Sequence, residues 1–151
     1  MDTNTQIVIF DLDGTLALID DRRKWCTKPN GKLDWDKFFD PNNISMDKPN
    51  LPVIKMAQTL HSNGYKIQIL SGRSKSTIDA TKLWLSQNNV PWSRLFMRPI
   101  KDFTSDDILK KDWLDDIGKD NVLCTFDDRQ KVVDMWRANG ISCFQVAPGN
   151  F

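Results

Sequence analysis

The sequence predicts an α/β fold, a Rossmann-like parallel sheet with helices on both faces and a small insertion after the first strand. Three observations carry this. From residue 51 onward, short aliphatic runs alternate with stretches of helical period. The first run, Ile7 to Phe10, is apolar at every position, as a strand covered on both faces must be. Several runs end in polar clusters, and open parallel sheets bind ligands outside the carboxyl ends of their strands.

The strand Ile7 to Phe10 leads into Asp11-Leu12-Asp13-Gly14-Thr15. Residues two apart on a strand share a face, so Asp11 and Asp13 leave it together, and Gly14 lets the chain turn sharply. The stretch from Ala17 to Asn50 holds Trp25, Trp35, Phe38 and Phe39 among many charges, broken by Pro29, Pro41 and Pro49. It reads as a loop or small helical cap, about residues 20–50, inserted in a single domain that spans residues 1–151.

Leu51 to Ser62 has a helical period, with Pro52 suited to the first turn and Asn63-Gly64 to the stop. Tyr65 to Leu70 reads as a strand that ends in Ser71-Gly72-Arg73, and Ser76 to Asn88 as a second helix. Leu95 to Met97 is a short strand. Ser105 to Ile117 is a third helix, with Ser105 at the N-cap and Asp106 and Asp107 favourably placed in the first turn. Asn121 to Phe126 is a strand that ends in Asp127-Asp128-Arg129. Lys131 to Ala138 is a fourth helix, closed by Asn139-Gly140, and Ile141 to Val146 is the final strand.

A chain of 151 residues can bury one substantial core. Its net charge of +1 argues against a protein that coats nucleic acid over many phosphates, yet allows a grip on one terminus by a few local cations. The three cysteines lack metal or redox spacing, and Cys124 and Cys143 fall in apolar runs where they pack as small hydrophobes. Their odd number, with no secretory signal, points to a reducing cytosol. No apolar run approaches a membrane span. A P-loop and a nucleophile-elbow serine are absent, and the single histidine, His61, sits late in a helix.

The strand ends assemble a chemistry. Asp11 and Asp13, Ser71 and Arg73, and Asp127 and Asp128 close three separate strands, while Asp106 and Lys110 are spaced i, i+4 on a helix and face one side. Any one of these groups alone is an ordinary turn, cap or solvated pair. Together they form a phosphate-plus-metal site. Oxygen-only ligands suit a hard cation such as Mg²⁺. Asp11 would both ligate the metal and attack phosphorus. Asp13 would protonate the leaving oxygen, then deprotonate water, and its backbone carbonyl could also reach the metal. Asp127 and Asp128 would complete the metal shell. Ser71, the neighbouring backbone N–H groups and Lys110 would hold phosphate oxygens.

Asp-x-Asp-Gly-Thr resembles the signature of the haloacid dehalogenase (HAD) superfamily. A narrower resemblance covers nearly the whole chain. It is carried by Ser71-Gly72-Arg73, Trp84-Leu85, Val90-Pro91, Leu95-Phe96-Met97-Arg98, Asp106 to Lys110, and above all the stretch from Asp127 to Arg137. These are similar to the phosphatase domain of phage-type polynucleotide kinase/3′-phosphatase. The resemblance implies a Mg²⁺-dependent enzyme that removes 3′-phosphates from DNA or RNA ends, or from 3′-nucleotides, through an aspartyl-phosphate. It makes Asp11 the nucleophile, Asp13 the general acid/base, and Arg22, Ser71, Gly72, Arg73 and Lys110 phosphate or substrate contacts, with Arg23 the alternative to Arg22. Asp106 would orient Lys110, and Asp127 with Asp128 would hold the metal. It further implies nucleic-acid repair in a bacterial or phage-infected cell, and it allows a homodimer. A free-nucleotide or small-metabolite phosphatase is the alternative enzyme, and a non-catalytic end-binding module the alternative of another class.

Overall fold

The computed structural model describes residues 6–151. Five parallel strands form one sheet in the order β5-β4-β1-β6-β7. They are β1 (Ile7–Phe10), β4 (Lys66–Ser74), β5 (Arg94–Arg98), β6 (Val122–Asp127) and β7 (Cys143–Gln145). The chain steps outward from β1 to β4 and β5, then crosses back to β6 on the other side of β1. This reversal opens a crevice beyond the carboxyl ends of β1 and β6, where Asp11 and Asp127 lie.

Alternation along β1 divides the interior in two. Val8 and Phe10 face one cluster, with Ile67, Ile69 and residues of α3 (Leu51–Ser62) and α4 (Ile78–Gln87), among them Ile54, Ala57, Trp84 and Leu85. Ile9 faces the other, with Leu70 and residues of α5 (Asp106–Ile117) and α6 (Gln130–Ala138), among them Leu114, Val132, Val133 and Trp136. Each fully buried aliphatic side chain contributes about 1.5–3 kcal/mol of transfer free energy, so both faces anchor the strand that carries Asp11.

The segment from 17 to 50 is pinched at its base by a short antiparallel pair, β2 (Ala17–Leu18) with β3 (Lys48–Pro49). Between them lie α1 (Asp20–Trp25), α2 (Trp35–Phe38) and a 3₁₀ turn over Pro41–Met46. Ile44 joins the main apolar cluster, which docks the cap on the body, while Trp25 and Trp35 stay exposed.

Three local expectations are corrected. Ser71-Gly72-Arg73 is not a turn after a strand. β4 continues to Ser74, and its pairing with β5 jumps from Ser71 to Ser74, so Gly72 and Arg73 bulge from the ladder and Arg73 is re-aimed. The second helix opens as a 3₁₀ turn, Lys75–Thr77, with the Ser74 hydroxyl accepting the Ser76 N–H at 3.2 Å. Ser105 occupies the N-cap position of α5, but its hydroxyl donates to Asp107 and accepts from Lys131 Nζ at 2.6 Å instead of capping the backbone.

Candidate active site

Asp11 is the first residue past β1, and its N–H donates to the Phe126 carbonyl at 2.9 Å, which fixes the end of β1 against β6. Asp127 closes β6 and Asp128 follows. One carboxylate oxygen from each of Asp11, Asp127 and Asp128 lies within 4.8 Å of the other two. The buried Lys110 ammonium reaches in from α5, 2.8 Å from Asp11 Oδ1 and 3.0 Å from Asp127 Oδ2. The Trp136 indole N–H donates to Asp127 Oδ2 at 3.3 Å, and the Asp128 N–H to Asp127 Oδ1 at 2.9 Å. Gly14 makes this closure possible. Its φ is +83°, and a Cβ there would stand 2.2 Å from Asp128 Oδ2.

Burial raises the Asp11 carboxyl well above the ordinary range, and the charge of Asp127 adds to this, against the pull of Lys110. Burial also raises Asp128. Burial opposes the charge on Lys110, yet Asp11 and Asp127 outweigh it and hold its proton more tightly than usual. Three buried carboxyl groups face one ammonium, so the site holds more acid groups than cations. All the donor atoms of the acids are oxygens. Both the charge and the donor set fit a hard divalent cation.

A second group stands beside this one. Asp13 Oδ1 is paired with both Arg73 NH2 and Arg22 NH2, the latter at 2.9 Å. Behind them the fully buried carboxylate of Asp47 pairs with Arg22 Nε and Arg73 NH2, each at 3.0 Å. The Trp84 indole donates to the Asp47 carbonyl at 3.0 Å, locking the cap strand in place. Burial works against the charge on Asp13, but Arg73 and Arg22 overcome it and lower the carboxyl below its usual range. At Asp47 burial wins over the same two arginines and raises the carboxyl to about 6.

A third group joins Arg98, Asp106 and Arg129. Asp106 is paired with Arg98 through one oxygen and with Arg129 through the other, at 2.7 Å. Arg98 also donates to the Gly72 carbonyl at 2.8 Å, and a Cβ at Gly72 would lie 2.7 Å from Asp106 Oδ1. The bulge, the loop after β5 and the start of α5 are thereby tied together.

Asp11, Asp13, Gly72, Arg73, Asp106, Lys110, Asp127 and Asp128 all line one crevice of about 1010 Å³. Asp106 does not orient Lys110. Its two oxygens are taken by Arg98 and Arg129, and Asp11 and Asp127 orient the lysine. Ser71 is buried, and its hydroxyl accepts the Arg73 N–H at 3.1 Å, closing the bulge, while Ser74 joins Arg73 on the crevice wall. Between the two adjacent arginines, Arg22 is the one that reaches Asp13. It is wholly buried, with its NH1 on the Phe38 carbonyl at 3.1 Å and its guanidinium 4.3 Å from the Phe38 ring centre. It stands behind Asp13, and Arg23 lines the rim.

Sequence reasoning missed Asp47, Arg98 and Arg129. Asp47 sits in an irregular stretch with no period to single it out. Arg98 ends β5 and Arg129 comes just after β6, the same signal that identified Asp127, and both were open to the same argument.

The sequence model of the family described as "Polynucleotide kinase PNKP phosphatase domain" matches residues 5–151. A protein of Autographa californica nuclear polyhedrosis virus, named as a bifunctional polynucleotide kinase/RNA ligase, is 34% identical over 134 residues, which are 86% of this chain and 17% of that protein. A chain in a structure of the Pnkp1/Rnl/Hen1 RNA repair complex is 34% identical, with a TM-score of 0.82, covering 100% of this chain and 45% of that one. A Clostridium difficile phosphatase structure shares the fold at a TM-score of 0.69 and 15% identity, covering 95% of this chain and 86% of that one. The chain thus spans less than half the length of the two relatives that share a third of its residues.

Proposed function

The chain belongs to the polynucleotide kinase phosphatase-domain family of the HAD phosphatases, and from that premise we propose that it is a Mg²⁺-dependent phosphomonoesterase acting on the 3′-phosphate of a polynucleotide end in the cytoplasm. The observation that carries this reading is the buried cluster of Asp11, Asp127, Asp128 and Lys110 at the head of an open crevice. A binding module has no need to bury three carboxylates against one cation, because each costs several kcal/mol of hydration. The RNA repair complex in which the solved relative is found supports a nucleic-acid substrate here.

Asp11, Asp127, Asp128 and the Asp13 carbonyl would hold Mg²⁺, which would screen the repulsion between the nucleophile and the phosphate dianion. Asp11 Oδ attacks phosphorus. The bond to the 3′ oxygen breaks, its electron pair stays on that oxygen, and Asp13 supplies the proton. Water then attacks the aspartyl-phosphate and gives a proton back to Asp13, which releases inorganic phosphate and the Asp11 carboxylate. Arg73 and Lys110 bind the transferring phosphoryl oxygens. The arginine pair favours the ionised Asp13 that the second step uses. When the substrate dianion engages Arg73, that hold weakens, and Asp13 gains the proton affinity that the first step uses.

The test is phosphate release with Mg²⁺ from a 3′-phosphorylated DNA oligonucleotide, its RNA counterpart, a 3′-mononucleotide and a 5′-mononucleotide. Preference for either oligonucleotide is the expected result. Equal or better turnover of a mononucleotide replaces the reading with a nucleotide phosphatase.

A further inference from the structure

The crevice is far larger than a phosphate needs, and its outer wall is aromatic. At about 1010 Å³ it sits at the top of the range for sites that take whole small molecules. Phe103, on the loop between β5 and α5, is 93% exposed and lines the opening. Trp35, at the start of α2, is 58% exposed and lines it too, its ring stacked on Phe39 at 5.6 Å. Two large rings left in water beside a phosphate site are apolar surface that a planar partner can cover.

The Phe103 loop is held in place. Arg98 donates to the carbonyls of both Asp102 and Thr104, the residues on either side of Phe103. The Asp102 N–H donates to the Pro99 carbonyl at 3.1 Å, and the Thr104 N–H to Asp102 Oδ1 at 2.8 Å. The ring is thus presented on a braced loop that is tied through Arg98 to Asp106 and the phosphate site.

The charges point away from a backbone-tracking groove. Among the described residues, eight aspartates line the crevice against six cationic side chains. Of the cations, Arg73, Arg98, Lys110 and Arg129 are already paired with acids. Among the described residues, Arg23 and Lys101 remain on the rim for a neighbouring phosphate.

We propose that Phe103 and Trp35 are base-stacking platforms that make the enzyme specific for an unpaired polynucleotide end, gripped by its last few bases instead of by its backbone. This rests on the reading that the scissile phosphate is a polynucleotide 3′-phosphate. In a duplex the base faces are covered by their neighbours, whereas an unpaired end can lend one base to each ring.

The experiment measures kcat/KM for 3′-phosphorylated single strands of one, two, three and six nucleotides and for p-nitrophenyl phosphate. It compares the wild type with Phe103→Ala, Phe103→Trp and Trp35→Ala. Efficiency is expected to climb up to two or three nucleotides and then level. Each alanine variant should lower the ratio of trinucleotide to p-nitrophenyl phosphate efficiency about tenfold, and Phe103→Trp should restore it. Wild-type KM for the trinucleotide should rise less than about tenfold between about 50 and 200 mM salt, as for one or two phosphate contacts. A ratio unmoved by both alanine variants, or a steep salt dependence, overturns the stacking proposal while oligonucleotide preference still stands. A wild type that does not prefer any oligonucleotide over p-nitrophenyl phosphate overturns both readings at once.

Discussion

The Lys110 ammonium lies 2.8 Å from Asp11 Oδ1, and the two residues are 99 positions apart in the chain. The lysine holds Asp11 and shares itself with Asp127, so the carboxylate that the proposed mechanism uses as nucleophile is already aimed and partly neutralised. That arrangement separates what Asp11 does for chemistry from what it does for the fold.

Asp11→Asn should lose at least about a thousandfold in kcat, because a carboxamide does not form the acyl-phosphate. Burial already penalises the charge at this position. The variant's melting temperature should therefore match or exceed that of the wild type without metal. Thermal denaturation beside a phosphate-release assay reads both. Turnover that survives in the variant would remove the covalent mechanism.

The excess negative charge at Asp11, Asp127 and Asp128 should make the protein more stable with Mg²⁺ than with a chelator. At about a hundredfold excess over the dissociation constant the gain is about 2.7 kcal/mol, a shift of several degrees for a chain of this size. Asp128→Asn should shrink the shift. Scanning calorimetry with and without Mg²⁺ checks it, and a wild-type melting temperature that ignores Mg²⁺ would remove the metal site.

Asp47 gives a pH signature with a defined sign. Its carboxyl is raised to about 6 from an ordinary 3.8. Between these values the folded protein keeps a proton that the unfolded chain has released, so stability falls as pH rises through this window. The slope from Asp47 amounts to about 3 kcal/mol at most. Asp11 and Asp128, raised by burial too, add the same sign. Urea unfolding from pH 4 to 6.5 should show a shallower decline for Asp47→Asn than for the wild type. Parallel curves would show that the two arginines keep Asp47 ionised.

Gly14→Ala should be costly in both readouts. It sets a Cβ 2.2 Å from Asp128 Oδ2 on a backbone with φ of +83°. A loss of about 1–3 kcal/mol is expected from the backbone alone, along with weaker Mg²⁺ stabilisation as Asp128 is pushed away. Urea unfolding with and without Mg²⁺ separates the two effects.

The alternation of strands and helices and the acids at strand ends were open to inspection because they depend on local pattern. Ile7 to Phe10 could hardly be anything but a buried strand, and Asp127 follows an apolar run. What pattern could not reveal was pairing. Asp106 and Lys110 are four apart on one helix, which suggests that they meet. In the folded chain each finds a stronger partner from elsewhere, Arg98 and Arg129 for the acid, Asp11 and Asp127 for the lysine. The bulge at Gly72 and Arg73 was equally hidden, since a strand that skips register has the same composition as a strand that stops. Asp47 becomes meaningful only once the cap folds back and delivers it to Arg22 and Arg73.

The reversal of strand order at β1 has a consequence for synthesis. Asp11 is made before the acids that complete its cluster, which sit on β6 and just beyond, more than 110 positions later. Until that strand has slotted in beside β1, no partial chain emerging from the ribosome holds the three-acid cluster, however well its earlier helices have packed. Assembly of the three-acid cluster and the docking of β6 beside β1 are one event, so the chemistry proposed for that cluster waits on the crossover to β6.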